Sequence, residues 1–153
     1  MIRIEVVNQV TENLCSAFQR LIPQLTTSGE VPTREQLETI VQAGATTLLV
    51  AIDDTGESDR IVGTLTLVVY RIPTGCVARI EDVVVEQDLR RQGVGRQLLR
   101  TALQQAGKLG VKAVDLTSNP ARAAANQMYI DLGFEKRSTN LFRYSISVRD
   151  TDG

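Results

Sequence analysis

Apolar and polar residues alternate along Ile2-Arg3-Ile4-Glu5-Val6, the period of a half-buried strand. From Thr11 the period lengthens. Leu14, Ala17, Phe18, Leu21, Ile22 and Leu25 recur at three- and four-residue steps and predict an amphipathic helix that Pro23 kinks or ends. After a polar loop at Thr26 to Glu30, Thr33 followed by Gln36 makes a capping-box pattern, opening a second helix that carries Leu37, Ile40 and Val41. Thr46 to Ile52 and Ile61 to Tyr70 are β-rich and flank the turn chemistry of Asp53-Asp54-Thr55-Gly56, so they predict an antiparallel pair. Pro73-Thr74-Gly75 turns the chain into a strand from Cys76 to Val85. Its Ile80, Val83, Val84 and Val85 are nearly continuous, as in a central strand buried on both faces. A stripe of Leu98, Leu99, Ala102, Leu103, Ala106 and Leu109 predicts a helix from Gln97 to Leu109, stopped with the help of Gly107 and Gly110. Val111 to Thr117 is then a strand parallel to the one before the helix. Asn119 as cap and Pro120 in the first turn open a last helix with Ala121, Ala124, Ala125, Met128 and Leu132 on its apolar side. Gly133 closes it, Phe134 starts a strand, Leu141 to Val148 forms the final one, and Asp150 to Gly153 is a frayed tail.

Composition narrows the class of protein. With 153 residues, 42% hydrophobic and 23% charged, the chain fits one globular domain over residues 1–153. A net charge of −1 argues against a dedicated nucleic-acid binder. Cys15 and Cys76, with no histidine anywhere, fit neither a disulfide framework nor a metal site, so no metal is expected. Neither a charged-then-apolar leader nor a membrane-length apolar run is present, and the expectation is a soluble cytoplasmic protein without membrane partners.

The stretch Arg90-Arg91-Gln92-Gly93-Val94-Gly95-Arg96 lies between the apolar strand and the helix that follows. A strand that breaks in basic and glycine residues and restarts as a helix leaves main-chain N–H groups pointing one way, a cradle for phosphate. Three arginines put forked, permanently charged donors around it. A nucleoside-triphosphate loop needs Gly-Lys-Ser/Thr, but Gly95 is followed by Arg96 and Gln97. The dinucleotide fingerprint needs a third glycine where Leu98 stands.

What remains is Arg-x-x-Gly-x-Gly, and here the chain resembles the GNAT superfamily of N-acetyltransferases, in the small stand-alone bacterial form. The resemblance is carried by Ile80-Glu81-Asp82-Val83-Val84-Val85, by Arg90 to Gly95, and by Arg122 to Phe134 with Ala125, Tyr129 and Gly133-Phe134. It implies a single α/β (α+β) domain with a mixed, mostly antiparallel sheet splayed between the fourth and fifth strands and flanked by helices. It also implies acetyl-CoA as cosubstrate, an amine acceptor, and dimer formation, which is frequent among relatives.

The same resemblance assigns roles. Val83, Val84 and Val85 would pair with pantetheine and offer an N–H to the oxyanion. Arg90, Arg91, Gln92, Gly93, Val94, Gly95 and Arg96 would hold the pyrophosphate. Stripping a proton from an alkylammonium at pH 7 costs about 4 to 5 kcal/mol, so a base or a water chain is called for. Glu81 and Asp82 are the nearest carboxylates and should point to opposite faces of the strand. Glu81 is the favoured base, although in some relatives that residue lies two positions earlier, where this chain has Arg79. Tyr129 would protonate the departing thiolate. Asn119 and Asn126 are candidates for contacts to pantetheine or adenine, and Arg122 for the 3′-phosphate, with helix capping and plain solvation as their structural alternatives. A catalytically weak acyl-CoA sensor and a different nucleotide-binding protein stand as rival readings.

Overall fold

The computed structural model describes residues 1–147. Val148, predicted to end the last strand, and the tail at Asp150 to Gly153 lie outside them. The chain forms two compact units that divide after Asn119.

The first unit is built on a five-stranded sheet in the order β1-β2-β3-β4-β5. Its strands are β1 (Ile2–Val6), β2 (Thr46–Asp53), β3 (Arg60–Ile72), β4 (Gly75–Val85) and β5 (Val114–Asp115). The first four are antiparallel neighbours and β5 runs parallel to β4. One face is covered by α1 (Glu12–Leu25) and α2 (Arg34–Gln42), the other by α3 (Val94–Lys108). Alternation sorts the strand residues. Leu48, Val50, Ile52 and Val84 join Leu14, Phe18, Leu21 and Leu37 in one core.

The local signals hold at the helix starts. Thr11 caps α1 through Leu14 N–H at 3.1 Å, and Thr33 and Gln36 exchange both bonds of the capping box at 3.1 and 2.9 Å. Pro23 lies inside α1, and the helix stops two residues later at Leu25.

Four expectations about the elements of this unit need correction. Helix α3 begins at Val94, not Gln97, because the glycine pair folds into its first turn. It also runs through Gly107 and closes only at Gly110, whose N–H reaches Gly107 C=O at 3.2 Å. Strand β5 covers two residues instead of seven, since Val111 N–H turns back to Ala106 C=O at 3.2 Å and the chain leaves β4 after Asp115. Val83 and Val85 are half-buried, unlike Ile80 and Val84, as β4 is covered by β5 along only part of its length.

The second unit contains α4 (Ala123–Asp131). Asn119 does not cap it. The turn at Pro120-Ala121 delays the helix, and Arg122 is the residue at its start. Phe134 starts no strand, because its N–H closes the end of α4 on Tyr129 C=O at 3.0 Å. Residues 141–147 form no strand either. Leu141, Phe142, Tyr144 and Ile146 are 66 to 88% exposed, and apolar alternation needs a paired neighbour to become a ladder. No described helix is long and apolar enough to cross a membrane.

Candidate active site

The site in the first unit is made by an irregularity in β4. Thr64 pairs with Val84 and Thr66 with Glu81, so β4 carries one more residue than β3 across the same span. The extra residue is a bulge at Asp82-Val83, with Asp82 in the left-handed region at φ 52°, which Asp tolerates better than most side chains. The bulge exchanges the two edges of the strand. Before it, Ala78 N–H donates to Ala113 C=O at 3.0 Å, so even-numbered residues face β5. After it, Glu86 N–H donates to Val62 C=O at 2.7 Å, so even-numbered residues face β3.

Two consequences follow for the valines. Val84 sends its main-chain groups into the β3 ladder and its side chain into the core. Val83 and Val85 direct theirs to the edge from which β5 has departed, since the β4–β5 pairing ends at Arg79–Asp115. This is the splay between the fourth and fifth strands. Arg90 Nε reaches back to Val85 C=O at 3.2 Å and ties the following loop to that open edge.

The loop itself is a short 3₁₀ turn, Gln87–Leu89, followed by Arg90 to Gly93. Arg91 and Gly93 both lie in the left-handed region, at φ 67° and 85°. A Cβ built on Gly93 would meet nothing within 4 Å, so the position is open to a ligand approaching the main chain. No side chain caps α3. Its first internal bond runs from Gln97 N–H to Gly93 C=O at 3.0 Å, and the N–H groups of Val94 and Gly95 precede it at the positive end of the helix dipole. These features fit a diphosphate: main-chain donors, an unobstructed approach, Arg90 and Arg91 on the loop, and Arg96 in the first turn of α3.

The carboxylates behave differently from each other. Glu81 stands opposite Thr66 on the α1–α2 face, and its Oε1 accepts from Arg79 Nε at 2.9 Å. Asp82 is raised from the ordinary carboxyl range by partial removal from water and then by Glu81 next to it. Simple alternation does not carry through the pair, because Asp82 belongs to the bulge.

In the second unit, Arg122, Asn126 and Tyr129 share α4. Tyr129 is buried, and its ring meets Phe134 edge-on with centroids 5.9 Å apart. The Gly133 φ of 103° allows Phe134 N–H to reach Tyr129 C=O, and the ring contact covers that joint. The Tyr-x-x-x-Gly-Phe pattern is therefore a helix end that fixes the tyrosine. Asn119, the last residue of the first unit, is exposed.

Residues 12–134 match the profile of the acetyltransferase (GNAT) family. The chain belongs to that family. N-acetyltransferase family 8 member 3 of Rattus norvegicus is 30% identical over 73 residues, 48% of this chain, and the chain spans about a third (32%) of that protein. Among solved structures, an aminoglycoside acetyltransferase from an uncultured soil metagenomic sample aligns with a TM-score of 0.77 at 22% identity, covering 95% of this chain and 97% of that one. An aminoglycoside N-acetyltransferase solved with CoA aligns with a TM-score of 0.76 at 18% identity, covering 95% of each chain. At such identities the likeness is one of fold.

Two features of the site were missed in the sequence. The left-handed Asp82 had one signal, an aspartate inside a strand, where that residue is depleted. The buried Glu86 had another, a charge directly after an apolar run.

Proposed function

We propose that the chain transfers an acetyl group from acetyl-CoA to a primary amine of a small molecule or peptide, by direct attack of the amine on the thioester. The observation that carries this reading is the junction of an unpaired strand edge at Val83–Val85 with the cradle at Gly93–Gly95. The edge suits the amide groups of pantetheine as an added strand, and the cradle suits the pyrophosphate. An N–H of Val83 or Val85 would meet the oxyanion as the carbonyl carbon becomes tetrahedral. Glu81, or a water chain leading from it, takes the ammonium proton. Tyr129 gives a proton to the leaving thiolate. Asn119, Arg122 and Asn126 are assigned to the outer parts of CoA.

The Arg79–Glu81 ion pair favours one second reading, a chain that holds acyl-CoA with little turnover, because a carboxylate oxygen already engaged by a guanidinium is less available to an incoming amine. The deciding assay mixes the protein with acetyl-CoA and a panel of amines, including aminoglycosides, amino-sugar phosphates, polyamines and peptides, and follows thiol release. Amine-dependent release supports the transferase. CoA binding without release for any amine selects the sensor, and no CoA binding removes both.

A further inference from the structure

The chain leaving β4 is held from α1 by a side chain that the site described above does not use. Gln24, in the last turn of α1, donates from Nε2 to Glu86 Oε1 at 2.8 Å, and its Oε1 accepts the main-chain N–H of Gln87 at 2.8 Å. The same Nε2 also reaches Arg20 C=O at 3.1 Å, which fixes the carboxamide against its own helix. Glu86 is 8% exposed. Its Oε2 accepts no hydrogen bond and lies 3.6 Å from both Arg20 Nε and Arg60 Nη2, while Arg60 Nη1 also lies 3.8 Å from Asp88.

We propose that Gln24 is a positioning residue for the pyrophosphate loop: its carboxamide clamps the end of α1 to Glu86-Gln87, so that the loop receives CoA already in its binding shape. The inference rests on the CoA reading above. The side-chain bonds from Arg90 to Val85 C=O and from Gln92 to Asp88 C=O at 3.4 Å are local and move with the loop. The Arg60–Asp88 contact joins two exposed groups and orients the main chain weakly. Gln24 is different in kind. It satisfies a main-chain donor at the residue where the strand becomes the loop, and it partners a carboxylate that has little access to water. A loop released from it samples other shapes, and apparent affinity falls in proportion to the fraction still competent.

The test is CoA binding by titration calorimetry on the full chain, well below its unfolding temperature. Gln24→Met keeps length and bulk and loses all three bonds, and its Kd for CoA should rise about ten-fold. Ile40→Ala thins the α2 side of the core and should leave Kd unchanged while lowering the unfolding temperature. Gln24→Glu places a second carboxyl against Glu86, with Arg20, Arg60 and Asp88 as the other charged groups around it. The pair then shares a proton at acid pH, so CoA affinity should recover as pH falls and be lost as it rises through the raised carboxyl range, unlike wild type. That slope carries the test if Gln24→Met does not fold. An unchanged Kd in Gln24→Met, an equal loss in Ile40→Ala, or a pH profile of Gln24→Glu parallel to wild type overturns the inference alone. A wild-type chain that binds no CoA overturns the CoA reading and this inference with it.

Discussion

Replacing Gly93 by alanine separates what the fold needs from what the ligand needs. Gly93 sits at φ 85°, ψ 5°, and a Cβ there meets nothing within 4 Å, so the change adds no clash inside the protein. Its cost to stability is conformational, about 1–2 kcal/mol for an L-residue in the left-handed region. For a chain of this size that lowers the unfolding temperature by about 2–8 °C. Gly107→Ala is the internal control. It also adds a Cβ with nothing within 4 Å, but inside α3, where replacing glycine by alanine stabilises by about 0.5–1 kcal/mol. Binding should respond differently. The new methyl at residue 93 stands in the space through which a phosphate reaches the Val94 and Gly95 N–H groups, and each charge-assisted bond is worth about 1.5–3 kcal/mol. Weakening one of them raises the Kd for CoA by about ten-fold or more. Calorimetry with CoA, alongside thermal unfolding of all three proteins, reads both quantities. If Gly93→Ala binds CoA within about two-fold of wild type while showing the expected stability loss, the cradle at the start of α3 is not the phosphate site and the reasoning fails.

Other substitutions probe the rest of the site and its frame. Tyr129→Phe keeps the ring contact with Phe134 and removes the proton donor, so kcat should fall by about a hundred-fold with CoA affinity retained; an unchanged kcat removes Tyr129 from the acid role. Gly63→Ala places a methyl 3.2 Å from both Leu98 Cδ1 and Val84 C=O, and urea unfolding should show a loss of about 1–3 kcal/mol; wild-type stability would contradict the packing of β3 against α3. Asp82 has its folded pKa raised, chiefly by loss of water, so its charge is a cost to stability that is absent below the unfolded-state value, builds between that value and the raised one, and is complete above both. Asp82→Asn tolerates the same backbone and should be at least as stable as wild type at about pH 7.5, with the difference fading by about pH 4. An asparagine variant clearly less stable at the higher pH would refute that sign.

Much of this protein was legible without coordinates, because the signals that mattered are local. Thr33 and Gln36 form their capping box within four residues, α1 and α3 expose their stripes to any reader of the three-to-four period, and Arg90 to Gly95 is one short stretch that runs from the loop into the first turn of α3. The glycine turn that opens α3 belongs to this class, since main-chain donors at a helix start depend on the residues of that turn. Tertiary structure decided what depends on register and on partners far along the chain. Nothing in Ile80 to Val85 announces that β3 will pair with one residue fewer, yet that single extra residue puts Asp82 at positive φ and turns Val83 and Val85 to the open edge. The same holds for Gln24 and Glu86, 62 residues apart and joined by one bond, and for residues 141–147, whose alternation found no strand to pair with. Hydrophobic period states which way a side chain prefers to face. Only the assembled sheet states which main-chain groups are already satisfied and which are left over.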